Sequence, residues 1–161
     1  QPLATAKIFQ HVMNLHSFDF AVLGKQAIDA DYNQTGQILA SIMGIPSATF
    51  SSEIEFNADM KSAKVTREVD FGLQQINVSL PAVFTCDLRL NTPRFANVKS
   101  ILAAKKKKVE VIKLEDLGAE FDVSPRLTIE RVDAPSEREG GVIVSDVDEL
   151  LDKLRNEAKC L

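Results

Sequence analysis

The sequence predicts an α/β fold: a parallel sheet extended by antiparallel strands, with a loosely patterned C-terminal arm. Three observations carry this. A helical pattern over residues 3–16, an apolar run ending at Gly24 and a second helical pattern over residues 33–43 follow one another directly. That succession is one turn of an α/β wind. Residues 48–57, 61–70 and 74–80 then read as strands joined by short turns. From 105 to 140 no period is sustained.

The elements follow in order. The first helix places Ile8, Phe9, Val12 and Met13 on one side. Phe18-Asp19-Phe20-Ala21-Val22-Leu23 is expected to be a buried parallel strand. A polar loop leads to the second helix, which Gly44 and Pro46 stop. Asn57-Ala58-Asp59 and Phe71-Gly72 mark turns in the strand region. Thr66, Glu68 and Asp70 alternate with Val65, Arg67 and Val69, which predicts a wet face there. Pro81 punctuates, and the apolar run from Ala82 to Cys86 can rejoin the main sheet. Asn91-Thr92-Pro93 reads as a turn, and a helix over 97–105 carries Val98, Ile101 and Leu102 on one face. Val109-Glu110-Val111-Ile112 and residues 127–132 read as strands. After a polar loop over 135–141, Ser145 as N-cap with Asp148 opens a last helix. Its apolar face is Val147, Leu150, Leu151 and Leu154.

Composition narrows the function classes. The 161 residues suit about one domain, with 45% hydrophobic and 26% charged residues, ordinary for a globular chain. A net charge of −4 argues against nucleic acid as a partner. No apolar run approaches the length of a membrane helix, so the chain is not expected to be membrane-embedded. Cys86 and Cys160 make no disulfide framework and read as free thiols in a reducing compartment. His11 and His16 stand five apart, off the spacing that puts two ligands on one helix face, and no zinc spacing or nucleophile set is present. The chain shows no signal-peptide pattern and opens at Gln1 in a helical pattern, as a fragment or processed product would.

The richest segment for chemistry is Gln26-Ala27-Ile28-Asp29-Ala30-Asp31-Tyr32-Asn33-Gln34-Thr35-Gly36-Gln37, which follows Gly24-Lys25 after the first strand and opens a helix. Loops at the carboxyl ends of parallel strands are where α/β sheets bind ligands, and free amides at a helix start suit a phosphate. Asn33, Thr35 and Gly36 supply small polar groups and close backbone approach. Asp29 and Asp31 can accept from a ribose or cap the helix. A capped helix after a loop explains the same residues, and no stock nucleotide motif decides between them. Asp70-Phe71-Gly72 copies a kinase metal triplet without the rest of that motif set and reads as a turn. Lys105 to Lys108 reads as a solvated helix end, favourable to the helix dipole.

Several segments together resemble the electron transfer flavoprotein β subunit, of the mitochondrial and α-proteobacterial type. They are Leu23-Gly24-Lys25-Gln26-Ala27-Ile28-Asp29 with Asn33-Gln34-Thr35-Gly36-Gln37, and Arg67-Glu68-Val69-Asp70 with Gly72-Leu73. Leu80-Pro81-Ala82-Val83, Asp87-Leu88-Arg89-Leu90-Asn91, Pro93-Arg94-Phe95-Ala96 and Ala104 with the four lysines complete the set. The resemblance begins inside that subunit, so the chain is expected to be a C-terminal portion whose nucleotide pocket lacks a wall.

The resemblance implies a Rossmann-like adenine-nucleotide-binding fold in an αβ heterodimer with one AMP and one FAD. AMP lies in the β subunit, on the segment matching Gln26 to Gln37, and FAD mainly on the α subunit. Electrons come from acyl-CoA and related dehydrogenases and pass to the membrane-bound electron transfer flavoprotein-ubiquinone oxidoreductase. The chain is then a carrier subunit without bond chemistry of its own, in the mitochondrial matrix or a bacterial cytoplasm. Arg94-Phe95-Ala96-Asn97-Val98-Lys99-Ser100-Ile101-Leu102-Ala103 matches the docking loop, with Val98 at the position of an anchoring leucine. Lys99 replaces a common proline and Ala103 a modifiable lysine, while Lys106 matches a second methylatable lysine. Glu68 matches a carboxylate near the flavin that can pair with an α-subunit arginine, and Phe71 departs from a usual glycine. Residues 1–105 are then the nucleotide-binding part, and 106–161 an arm and terminal helix packing on the α subunit. A universal-stress-type AMP- or ATP-binding regulatory domain is the alternative, and it leaves the docking helix and arm unexplained. An adenine-nucleotide hydrolase would need a catalytic lysine or pyrophosphate motif, and neither is present.

Overall fold

A computed structural model describes residues 1–118, 121–138 and 140–161. They fall into two units, Gln1–Leu127 and Thr128–Leu161. The first holds α1 (Pro2–His16), β1 (Phe20–Gly24), α2 (Thr35–Met43), β2 (Ser47–Phe56), β3 (Ser62–Val69), β4 (Gly72–Ser79), β5 (Ala82–Cys86) and α3 (Val98–Lys105). A 3₁₀ turn, Leu114–Leu117, follows. The five strands form one sheet in the order β1-β5-β2-β3-β4. β5 runs parallel to both β1 and β2, whereas β2, β3 and β4 are antiparallel. The predicted α/β class, with antiparallel strands added to a parallel sheet, is the observed one.

β5 reads as an unbroken apolar run because it lies between two parallel neighbours, and residues 82–85 are buried. Its alternate side chains serve two cores. Val83 packs with Ala6 and Met13 of α1 and with Leu39 and Ala40 of α2. Phe84 packs with Ala48, Ala63, Val65 and Val78 and meets Phe20 and Phe56 edge-on, at centroid distances of 6.2 and 5.9 Å. α2 ends at Gly44, where the sequence marked its stop, and Ser17 and Gly44 both adopt the left-handed conformation that closes α1 and α2.

Several expectations are corrected. β1 is an edge strand, half-exposed along its length, and was expected to be buried. Its apolar run reports one covered face, since Ala21 and Leu23 pack under the helices. Phe9, expected on the apolar side of the first helix, is exposed, because Ala6 and Met13 take the α2-facing positions. The predicted wet face on β3 is partly covered: Thr66 is buried and its hydroxyl donates to Glu53 Oε2 at 3.1 Å. Asp70 and Phe71 do form the β3–β4 turn, with Gly72 at φ 131°. The turn after β5 closes at Leu88-Arg89, where Leu90 N donates to Asp87 O, and not at Asn91-Thr92-Pro93.

Residues 109–112 and 127–132 form no strand. Backbone groups at the second segment's start are used elsewhere. The Gln1 side chain donates to Leu127 O at 2.8 Å and accepts from Arg126 N at 2.7 Å. Lys7 Nζ donates to Asp122 O at 2.7 Å, and His11 lies edge-on to Phe121 at 5.7 Å, so residues 121–127 run along α1. His16 stacks on Phe18 at 5.3 Å between ring centroids.

The turn beginning at Asp122 gives a pH expectation. Hydrogen bonds from the Ser124 side chain and amide hold the Asp122 carboxyl down at about 2, and Arg126 and Lys7 add favourable charge. A depressed carboxyl favours the folded form above the ordinary Asp range of about 3.9, and that contribution is lost as pH falls through about 2. Side-chain carboxyl NMR should give Asp122 a midpoint near 2. A midpoint near 3.9 would show that the turn is not held.

The second unit contains α4 (Val147–Asn156). Its cap is Asp146, one residue later than expected: Asp146 Oδ1 accepts from Glu149 N at 2.9 Å. Glu149 Oε2 reaches back to Ser145 N and Oγ at 2.8 and 2.7 Å. Ser145 therefore donates to the box and does not cap it, since aspartate offers the better-placed acceptor.

Candidate functional site

The loop after β1 leaves the sheet where the parallel ladder ends, with Lys25 N donating to Cys86 O at 3.1 Å. It turns on itself through Asp31 N to Ala27 O, and Gln26 Nε2 donates to Asp31 Oδ1, both at 2.9 Å. Asp31 and Asn33 take positive φ, 52° and 49°, a conformation these two residue types tolerate best after glycine. The loop delivers the chain to α2, whose N-cap Gln34 makes no side-chain capping bond. The first-turn amides of Thr35, Gly36 and Gln37 thus have no intrahelical partner, and the helix dipole adds positive potential there.

A cavity of about 530 Å³ opens on this helix start, within the size range of small-molecule sites. All of the twelve predicted residues except Ile28, Asp31 and Gln37 line it. Ile28 is fully exposed, and Asp31 is spent on the loop. Gln37, the third residue of α2, is half-buried; its Nε2 donates to Asn33 Oδ1 at 3.2 Å and its Oε1 is buried without a partner. Gly36 sits so close to β5 that an added Cβ would fall well inside contact distance of Thr85 Cγ2. A free helix N-terminus and a backbone cradle fit a phosphate-bearing ligand.

The opposite wall was not legible as such. It comes from the start of α1, through Gln1, Pro2, Thr5 and Phe9. The exposure of Phe9 on an otherwise apolar helix face is the one sign of it, and only the fold reveals that exposure.

Charged groups sit just beyond. Lys25 Nζ donates to Asp87 Oδ2 at 2.8 Å and lies 5.9 Å from the Phe50 ring centroid. The Lys25 hydrogen bond, then the Arg89 amide, hold the Asp87 carboxyl below the usual range. Glu68 is paired within the chain, its Oε1 2.9 Å from Arg89 Nη1. A second cavity of about 390 Å³ is lined by Phe50, Arg67, Glu68, Val69 and Asp70. Burial pushes the Cys86 thiol up, which keeps it protonated and unreactive.

The predicted docking segment is irregular from Arg94 to Ala96 and helical from Val98. Asn97 caps α3 by accepting from Ser100 N at 2.8 Å, and Ser100 Oγ accepts from Asn97 N at 3.1 Å. Val98, Ile101 and Leu102 are 73, 45 and 55% exposed, so the face the spacing marked as apolar is uncovered. Lys106 is exposed at the C-cap. Among the described residues no cluster of His, Cys, Asp and Glu could hold a metal, and no helix is long and apolar enough to cross a membrane.

Comparison with known proteins adds a family. Residues 1–117 match the electron transfer flavoprotein domain. The mitochondrial electron transfer flavoprotein subunit beta of Arabidopsis thaliana is 47% identical over 157 residues, 98% of this chain and 62% of the relative. The subunit beta of Bradyrhizobium diazoefficiens is 47% identical over 161 residues, 100% of this chain and 63% of the relative. That of Homo sapiens is 44% identical over 154 residues, 96% and 59%. The chain spans about three fifths of the length of these relatives. With a mixed α/β sheet of the expected class and a match over most of its length, the chain belongs to the electron transfer flavoprotein domain family.

Proposed function

We propose that the chain forms part of the β subunit of a heterodimeric electron transfer flavoprotein. It holds AMP in the first cavity and supports an FAD-carrying α subunit. The heterodimer takes electrons from acyl-CoA and related dehydrogenases and gives them to electron transfer flavoprotein-ubiquinone oxidoreductase. The site of action is the mitochondrial matrix, or the cytoplasm of a bacterial host. The observation that carries the nucleotide reading is the uncapped start of α2 opening on a cavity of about 530 Å³.

The division of labour follows from the groups present. The amides of Thr35, Gly36 and Gln37 suit the AMP phosphate, and Asp29 on the cavity wall suits a ribose hydroxyl. Gln37 acts from behind the cavity wall, where its side chain donates to Asn33, which lines it. FAD on the α subunit supplies the redox chemistry, and this chain contributes binding and docking, with no bond chemistry of its own. Val98, Ile101 and Leu102 present the apolar patch that a dehydrogenase covers. Exposed Lys106 beside it is a methylation site. Glu68, part-exposed and already paired with Arg89, keeps room for an α-subunit arginine.

The test is the double variant Thr35→Ala with Gln37→Ala, in the full-length subunit co-expressed with an α subunit. Each lost hydrogen bond to a charged or buried group is worth about 1–3 kcal/mol. AMP content per heterodimer should therefore fall at least tenfold, and assembly yield with it, because a bound ligand stabilises the folded state. Nucleotide released on denaturation is the readout. Undiminished AMP in the double variant refutes the site.

A further inference from the structure

Two cavities in this chain share one clasp. Asp87 follows β5, and its side chain is 4% exposed. Oδ2 accepts from Lys25 Nζ at 2.8 Å, and Oδ1 accepts from Arg89 N at 3.1 Å. Its backbone is committed too: the amide donates to Ser51 O at 2.9 Å, and the carbonyl accepts from Leu90 N at 3.2 Å. Lys25 lines the first cavity, and its ammonium faces Phe50, which lines the second. Arg89 grips Glu68, which also lines the second. Phe50 sits at the irregularity of the β2–β5 pairing between Ala48 and Ser51, with φ 56°, a value bulky residues rarely take. Its amide is held by Thr85 Oγ1 at 3.2 Å.

A carboxylate this far out of water is costly without its cation. Lys25 cannot leave with the loop unless Asp87 is stranded. The turn bearing Arg89 cannot shift unless Asp87 loses its second donor. We propose that Asp87 is a positioning residue that couples the two cavities: it fixes the loop of the first and the Arg89–Glu68 pair of the second. Filling the first then steadies the second, and by linkage the reverse holds. The path is a contiguous run of charge-assisted contacts. This rests on the nucleotide reading of the first cavity.

The test is amide hydrogen exchange, read by mass spectrometry, on the full-length heterodimer with AMP bound and after AMP depletion in mild denaturant. AMP should slow exchange in residues 25–34 and also, at least fivefold, in residues 87–90, which do not line the first cavity. In Asp87→Asn the effect of AMP on the loop should persist and its effect on the 87–90 turn should vanish. Asp87→Ala, which removes both acceptors and strands no carboxylate, should uncouple the two in the same way. A merely structural Asp87 would change exchange in the turn equally with and without AMP. Exchange at 87–90 that ignores AMP in the wild type overturns the coupling, as does coupling that survives both substitutions. A wild-type heterodimer that takes up no AMP overturns the nucleotide reading itself, a separate and recognisable result.

Discussion

Gly36→Ala should lower the melting temperature of the heterodimer and empty its nucleotide site, and Gly36→Val should do so more severely. The new Cβ meets Thr85 Cγ2 inside contact distance, with Val83 Cγ1 at 3.7 Å behind it. Thr85 cannot turn away freely, because it is 1% exposed and its hydroxyl holds Phe50 N. The start of α2 must therefore lift from β5. Overpacking of this kind costs about 1–3 kcal/mol, or roughly 2–12 °C in Tm. The better helix propensity of alanine returns up to about 1 kcal/mol of that. Lifting the helix also moves the three free amides, so AMP content should fall with Tm. Gly24→Ala is the control, since a Cβ there meets nothing within 4 Å. Calorimetry that finds Gly36→Ala as stable as Gly24→Ala would remove the close approach as the reason for this glycine.

Val98→Asp should abolish dehydrogenase-linked reduction of the flavin while leaving heterodimer, FAD and AMP content unchanged. Val98 is the most exposed of the three apolar residues on α3 and its first helical residue. An aspartate there suits the helix dipole, so the Asn97–Ser100 cap and the helix survive. What is lost is an apolar anchor, replaced by a charge that docking would have to desolvate. Central anchors of this kind are worth about 2–4 kcal/mol, thirtyfold or more in kcat/KM. Stopped-flow reduction by an acyl-CoA dehydrogenase measures it. An unchanged rate would sink the docking assignment, whatever the AMP site does.

What the sequence made legible was local. α1, α2 and the β2–β4 meander carry clean periods and glycine or asparagine punctuation, and each formed within a few residues of its expected bounds. The loop from Gln26 to Gln37 was legible because strand, loop and helix follow one another in the chain. Residues 109–112 and 127–132 misled because β-branched side chains make a strand only beside another strand, and among the described residues none pairs with them. Contacts distant in sequence were illegible for the same reason. Lys25 and Asp87 stand 62 residues apart, and only the parallel pairing of β1 with β5 brings their ends together. Phe9 could not be told from a core residue until the packing of Ala6 and Met13 turned it toward the cavity.

The position of β1 at the margin of the sheet matters at the bench. Among the described residues no strand lies beside its outer hydrogen-bonding rim, and Phe18, Phe20 and Val22 stand exposed along the same stretch. Such a rim is a template for any extended segment, including the same segment of another molecule. These 161 residues expressed by themselves thus carry a built-in route to self-association. Dilution, or a charged residue set into that rim, would do more for their behaviour in solution than further stabilisation of a core that is already closed.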